Sequence, residues 1–361
     1  MVIPPSTVDQ ILATATISPE FAAALNSGNV APPVTDITIL KEAVIANLPN
    51  LQKQLAANRP DGIIETEHII SLDKNNKSRV IVCHKSNVSK PSPVIILFHG
   101  GGHCIGYPET EAALSRRLAI DLSATVICPS YRLAPENPFP APCNDAWNFL
   151  KYLVEEYRSP HIASKPLLPQ QADLRAGFIV GGISAGANLA AAIAHLARDN
   201  NLSPPITGQY LCAGTFMSPQ HVPTKYHEFY LSQEQNKDAP LVPRSFLQLL
   251  RGAHDADPKS PLWACIDQHH PADAPGEVKH GNMNLPPSYF QACGLDIARD
   301  DSLIYERILR EECNIPTKLD LYEGFSHCWW TTFPNLEMSQ KRMNDSVEGI
   351  RWLLENVTRE D

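Results

Sequence analysis

Three side chains in this sequence could share one reaction: the hydroxyl of Ser184, the carboxylate of Asp296 and the imidazole of His327. A serine hydroxyl is a poor nucleophile until a histidine takes its proton. A carboxylate in turn holds that histidine in the needed tautomer and stabilises its cation. Ser184 lies in F-I-V-G-G-I-S-A-G-A-N-L-A-A-A, residues 178–192, where Gly182 to Gly186 match G-x-S-x-G. That pattern is a strained strand-to-helix turn that pushes a serine hydroxyl out of a sheet, its glycines leaving room for strand and helix to approach. Alone it is weak, because small-residue turns are common. The chain supplies the remaining parts. His99-Gly100-Gly101-Gly102-His103 follows an apolar run, and its bare backbone N–H groups suit charge that develops on a carbonyl oxygen. Ala185 would add a further N–H at a helix start, where the dipole also favours negative charge. Oxyanion donors are therefore expected in the run Gly100-Gly101-Gly102 and at Ala185. Gly294-Leu295-Asp296 and Gly324-Phe325-Ser326-His327 end two further apolar runs. Together these residues could run acyl transfer through Ser184.

The elements that must position them can be read from apolar patterning. Strand-like runs occur at 64–71, 79–84, 94–99, 124–129, 176–181, 209–216, 288–293 and 317–322. From the third onward, helical segments intervene at 110–122, 144–156, 185–198, 299–311 and 337–355. This alternation predicts an α/β fold, an eight-stranded, mainly parallel sheet with helices on both faces. The polar turn Asp73 to Lys77 suits an antiparallel hairpin between the first two strands. In such a sheet, active-site groups gather outside the carboxyl ends of the strands, which is where Ser184, Asp296, His327 and the glycine run fall. Residues 1–60 and 218–283 break the rhythm, with helical pieces at 8–15, 39–57 and 243–250. A long irregular insertion in a compact domain is usually functional. These two segments are expected to form a helical cap, 1–60 its first part and 218–283 its second, over a core of 61–217 and 284–361.

The chain order Ser, Asp, His, with a glycine-rich loop after the third strand, is the α/β-hydrolase arrangement. The sequence resembles the hormone-sensitive-lipase-like esterases, the bacterial type IV family. The matching passages are H-G-G-G at 99–102, Y-R-L-A-P-E at 131–136, F-P-A-P-C-N-D at 139–145, G-x-S-A-G at 182–186, S-P-L at 260–262, L-P-P at 285–287, G-L-D-x-x-R-D at 294–300 and E-G-F-S-H at 323–327. They span roughly residues 64 to 356. The resemblance implies Ser184 as nucleophile, Asp296 as acid, His327 as base, an oxyanion hole at Gly101, Gly102 and Ala185, and a two-part cap. The sequence departs from the family at Ile183, where Asp or Thr is usual, at Ile297 in place of a proline, and at Cys328-Trp329-Trp330 after the base. The loop 276–285 looks longer than usual. His103, Ile183, Trp329 and Trp330 are the candidate pocket residues, with core packing the equal alternative for the two tryptophans.

Other residues have plainer readings. Asp300 and Asp301 compete for the acid role but lie in a helix first turn, where carboxylates complement the dipole. His99 is expected to fix the glycine loop, and Tyr131, Arg132 and Glu136 to form a structural network. Cys104 and Cys293 read as packing residues. His269, His270 and His280 lack ligand spacing, so no metal and no cofactor are expected. The chain has 361 residues, 43% of them hydrophobic, and a net charge of −9, with no basic cluster. Nucleic acid and anionic membranes are therefore not expected partners. No run reaches the roughly 18 apolar residues of a membrane span. With no signal-peptide pattern and an odd nine cysteines, the cytosol is the expected location. A homodimer is compatible with the sequence. The expected activity is serine carboxylic-ester hydrolysis of small to medium esters, an acetylated metabolite or a lactone among them. An acyltransferase or lactone-forming enzyme would use the same triad; a non-catalytic ligand-binding protein or a lyase could use the same fold.

Overall fold

The computed structural model describes residues 4–27, 34–159, 166–267 and 281–356; His269, His270 and His280 lie outside them. The described residues form an eight-stranded sheet from β1 (Ile63–Ser71), β2 (Lys77–Lys85), β3 (Val94–Phe98), β4 (Thr125–Pro129), β5 (Phe178–Ile183), β6 (Gly208–Cys212), β7 (Ser288–Cys293) and β8 (Thr317–Tyr322). Their spatial order is β1-β2-β4-β3-β5-β6-β7-β8. The two contacts of β2 are antiparallel, and every pairing from β4 through β8 is parallel. The β1–β2 turn closes as the polar run predicts, with Leu72 N–H donating to Asn76 O and Asn75 N–H to Asp73 Oδ1.

Helices α1 (Val8–Ala13), α2 (Pro19–Leu25), α3 (Ile37–Ala57), α4 (Ala112–Asp121), α5 (Ala141–Arg158), α6 (Ala185–Asp199), α7 (Ser232–Gln235), α8 (Arg244–His254), α9 (Arg299–Arg307), α10 (Trp329–Thr332) and α11 (Glu337–Glu355) complete the order. β3 shows why its strand reads as an unbroken apolar run. Val94, Ile96 and Phe98 join the core that holds α5 and α6, while Ile95 and Leu97 join the core that holds α4 and α11. A parallel strand covered on both faces needs apolar residues at every position.

α2 lies outside the helical pieces read from the sequence. Its signals are nevertheless present: Ser18 Oγ accepts the Phe21 N–H as an N-cap, and Pro19 opens the helix. Phe21 is fully buried, 5.4 Å from the Phe325 ring and 6.0 Å from Phe333. At the other side of the sheet edge, Ile37 and Leu40 of α3 meet Phe246 and Leu250 of α8 in a small separate cluster with Cys104 and Ala134.

Candidate active site

β5 ends at Ile183, and the chain turns directly into α6 through Ser184, which holds φ +56° and ψ −117°. A non-glycine residue there is strained and is kept only where its surroundings fix it. The glycines on either side show how tight the turn is. A Cβ on Gly182 would lie 2.4 Å from the Gly186 carbonyl carbon, and one on Gly186 would lie 2.0 Å from Phe98 O. The strand, the helix and the end of β3 thus touch backbone to backbone. Ser184 N–H donates to Cys212 O across to β6, which holds the turn at the sheet's carboxyl edge.

The structure brings the three chemistry-bearing residues together. The His327 Nε2 lies 2.9 Å from Ser184 Oγ, and its Nδ1 lies 2.7 Å from Asp296 Oδ2. Asp296 is buried, and its second oxygen accepts the Ala298 N–H at 2.8 Å. The carboxylate is therefore held from both sides, with one oxygen left for the imidazole. Burial opposes the charged imidazole, but the Asp296 carboxylate outweighs it and holds the His327 pKa well above the usual value. Asp300 and Asp301 take no part. Asp300 pairs with Arg299 and accepts the Leu231 and Ser232 N–H groups. Asp301 accepts from the Phe216 and Met217 N–H groups and from the Tyr230 hydroxyl.

The glycine run sits beside this line. Gly101 and Gly102 adopt φ +112° and +59°, and a Cβ on Gly101 would lie 2.2 Å from Ile105 O. Among the described residues, the N–H groups of Gly101, Gly102 and Ala185 find no protein acceptor. His99 fixes the loop from beneath: its ring stacks on Tyr131 at 4.3 Å, its Nδ1 contacts Gly100 O, and the Tyr131 hydroxyl donates to His99 O. Burial lowers the His99 pKa to about 4, so the ring is neutral at physiological pH. The buried network expected of Tyr131, Arg132 and Glu136 is instead three separate contacts: Tyr131 holds His99, Arg132 forks onto the buried Asp145, and Glu136, exposed, pairs with Lys41.

The candidate pocket residues separate. Trp329 is fully buried in the core against Tyr322 and Phe325, the packing alternative read from the sequence. Trp330 is half-buried with the Arg342 guanidinium 4.1 Å from its ring centroid. Ile183 is buried in the core shared with α4 and α11. His103 is buried too, stacked on His254 of α8 at 4.2 Å and beside Trp263. His254 and Trp263 do line a cavity of about 530 Å³, together with Ser218, Gln233, Leu247 and Arg251 among others.

The sequence model of the α/β-hydrolase fold family matches residues 95–331, the stretch that holds all of these groups. The chain belongs to this family, in its hormone-sensitive-lipase-like branch. An α/β-hydrolase superfamily protein of Schizosaccharomyces pombe is 30% identical over 268 residues, covering 74% of this chain and 73% of its own. Esterase LipI of Mycobacterium tuberculosis is 33% identical over 243 residues, 65% of this chain and 67% of its own. Among solved structures, vibralactone cyclase superposes with a TM-score of 0.81 at 26% identity, over 96% of this chain and 97% of that one.

Two supports of the α/β-hydrolase site escape a reading from sequence. The Thr14 carbonyl accepts the Gly324 N–H at 2.7 Å, and Ser18 N–H donates to Gly324 O. A Cβ on Gly294 would lie 2.0 Å from the same Thr14 carbonyl. The N-terminal segment between α1 and α2 thus wedges between the loop that carries Asp296 and the loop that carries His327. Asn236, after α7, donates to Gly294 O and Asp296 O from the other side. The only local signal was the Ser18-Pro19 helix start, which marks an element but not its docking place.

Proposed function

We propose that this protein is a serine carboxylesterase that works through an acyl-enzyme on Ser184. The observation that carries the reading is the unbroken line of contacts Asp296–His327–Ser184 at 2.7 and 2.9 Å, with the serine held at a strained, partly exposed turn. His327 takes the Ser184 proton as Oγ attacks the ester carbonyl carbon, and Asp296 stabilises the resulting imidazolium. The Gly101, Gly102 and Ala185 N–H groups receive the oxyanion that forms on the carbonyl oxygen. Collapse of this intermediate breaks the bond to the alcohol, which leaves with the proton from His327. Water, deprotonated by His327, then attacks the acyl-enzyme and releases the acid and Ser184. The mechanism needs no cofactor. The esterase named among the relatives supports the same reaction type.

Of the segments 1–60 and 218–283 expected to form a cap over the carboxyl edge of the sheet, we assign α3 and Ser218 to Asp267 to it, on the support of the α3–α8 cluster beside the glycine loop. α1 and α2 pack against the loop that carries His327 instead, and 268–280 lie outside the described residues. The nine cysteines are free, which fits a reducing compartment such as the cytosol. Among the described residues no helix is long and apolar enough to cross a membrane.

The Ser184→Ala variant tests the reading. Hydrolysis of 4-nitrophenyl butyrate should fall to near background while thermal unfolding keeps its midpoint. Undiminished turnover would contradict the assignment. The likeness to vibralactone cyclase favours a second reading in which an internal nucleophile, not water, resolves the acyl-enzyme. Product analysis with an ester that carries its own hydroxyl group separates the two: the free hydroxy acid marks hydrolysis and the lactone marks internal capture.

A further inference from the structure

The cavity of about 530 Å³ is walled on one side by α8, whose two faces do different work. Phe246, Leu250 and Ala253 pack toward the glycine loop, and a Cβ on Gly102 would lie 2.6 Å from Leu250. Arg244, Leu247, Gln248 and Arg251 line the cavity, and His254 lines it where α8 meets the glycine loop. Three walls each adjoin part of the candidate active site. His254 stacks on His103, which follows the glycine run. The Trp263 carbonyl accepts from Asn188, one turn into α6 from Ser184. Gln233 donates to Ile297 O, next to Asp296.

The charge of this cavity is out of keeping with the chain around it. The protein carries a net charge of −9, yet among the described residues the lining holds two arginines, three glutamines and a serine, and no carboxylate. Arg244 is partly offset by its ion pair with Glu234. Arg251 is not. Its Nε and Nη2 are shut off from solvent and find no acceptor, and the guanidinium makes no ion pair among the described residues. Asp301 lies close enough to feel its charge, but both Asp301 oxygens are taken by the Phe216, Met217 and Tyr230 donors. His254, with its pKa lowered to about 4 by burial, adds no charge at neutral pH. Arg251 as a whole is half-buried, but guanidinium nitrogens shut off from solvent without an acceptor are costly, and the planar fork matches a carboxylate.

We propose that Arg251 is a specificity-determining residue that binds a carboxylate on the substrate, so that the preferred ester is an anionic one. This rests on the esterase reading and narrows its substrate class. The carboxylate could sit on the acyl or on the alcohol side of the ester, and the cavity would take either.

Paired substrates decide. On the acyl side, 4-nitrophenyl hydrogen glutarate is compared with 4-nitrophenyl butyrate; on the alcohol side, 4-acetoxybenzoate is compared with its methyl ester. In the wild type at least one anionic member should have a kcat/KM about tenfold or more above its neutral partner, the range expected of a charge-assisted pair. The ratio should fall to near one in Arg251→Leu and lie between in Arg251→Lys, which keeps the charge without the fork. The pair that responds names the side. Calorimetry reads the site without turnover: glutarate should bind the wild type at least about tenfold more tightly than glutaramide, and lose that margin in Arg251→Leu. If neutral esters are hydrolysed with no anionic preference and glutarate binds no better than glutaramide, the anion site is overturned and the esterase stands. If no ester is hydrolysed, the esterase reading fails, and the calorimetry still decides the anion site.

Discussion

At the scale of single residues, the site depends on one carboxylate holding one imidazole. Asp296 raises the His327 pKa, while burial works to lower it. The base must be neutral to accept the Ser184 proton, so kcat/KM should rise with pH through the His327 titration. Asp296→Asn removes the raising influence and leaves burial. The midpoint of that pH profile should then move to lower pH, and kcat should fall by roughly 10²–10⁴ as the imidazole loses its tautomer and its counter-charge. A midpoint that stays in place would show that Asp296 does not govern the base. The nucleophile, acid and base were legible in the sequence because each closes an apolar run, and the structure joins all three by direct contacts. Arg251 was not. It stands in a Pro- and Gln-rich stretch whose period is too short to show which side of α8 faces a cavity. Trp329 was ambiguous for a related reason, since proximity in sequence to His327 carries no information on which way a ring points.

At the scale of elements, the central strands could be read because strands covered on both faces must be apolar throughout, as in β3 and β5, while β1 and β2, partly exposed, were marked by shorter apolar runs on either side of a polar turn. Their lateral order could not, because no local pattern records which neighbour a strand takes. β4 and β3 exchange places relative to the chain, which sets the glycine loop after β3 directly beside the Ser184 turn after β5. That adjacency makes Gly186 structural. A methyl group there would meet the Phe98 carbonyl at 2.0 Å, backbone against backbone, where no side chain can give way. Gly186→Ala should therefore destabilise the fold by about 3 kcal/mol or more, at or beyond the upper end of overpacking effects. Chemical denaturation measures it, and a loss below about 1 kcal/mol would mean that β3 and α6 can separate at little cost.

At the scale of the whole molecule, residues 4–27 are tied into the body of the protein. Thr14 and Ser18 clamp Gly324, Glu20 accepts the N–H of Glu337 at the start of α11, and Phe21 packs under Phe325 and Phe333. Unfolding of this segment should therefore accompany unfolding of the base loop. Phe21→Ala should lower the stability of the single main transition by about 3–5 kcal/mol and reduce esterase activity with it. If only a minor early transition moved, the segment would be a separable unit. The parts supplied by distant stretches of chain converge on one acyl transfer, and the intermediate of that transfer can be caught. Rapid acid quenching during turnover of a 4-nitrophenyl ester, followed by peptide mapping by mass spectrometry, should find one acyl group on the peptide that contains Ser184, and none in Ser184→Ala. An acyl group on another residue, or hydrolysis with no covalent adduct at any quench time, would contradict the mechanism.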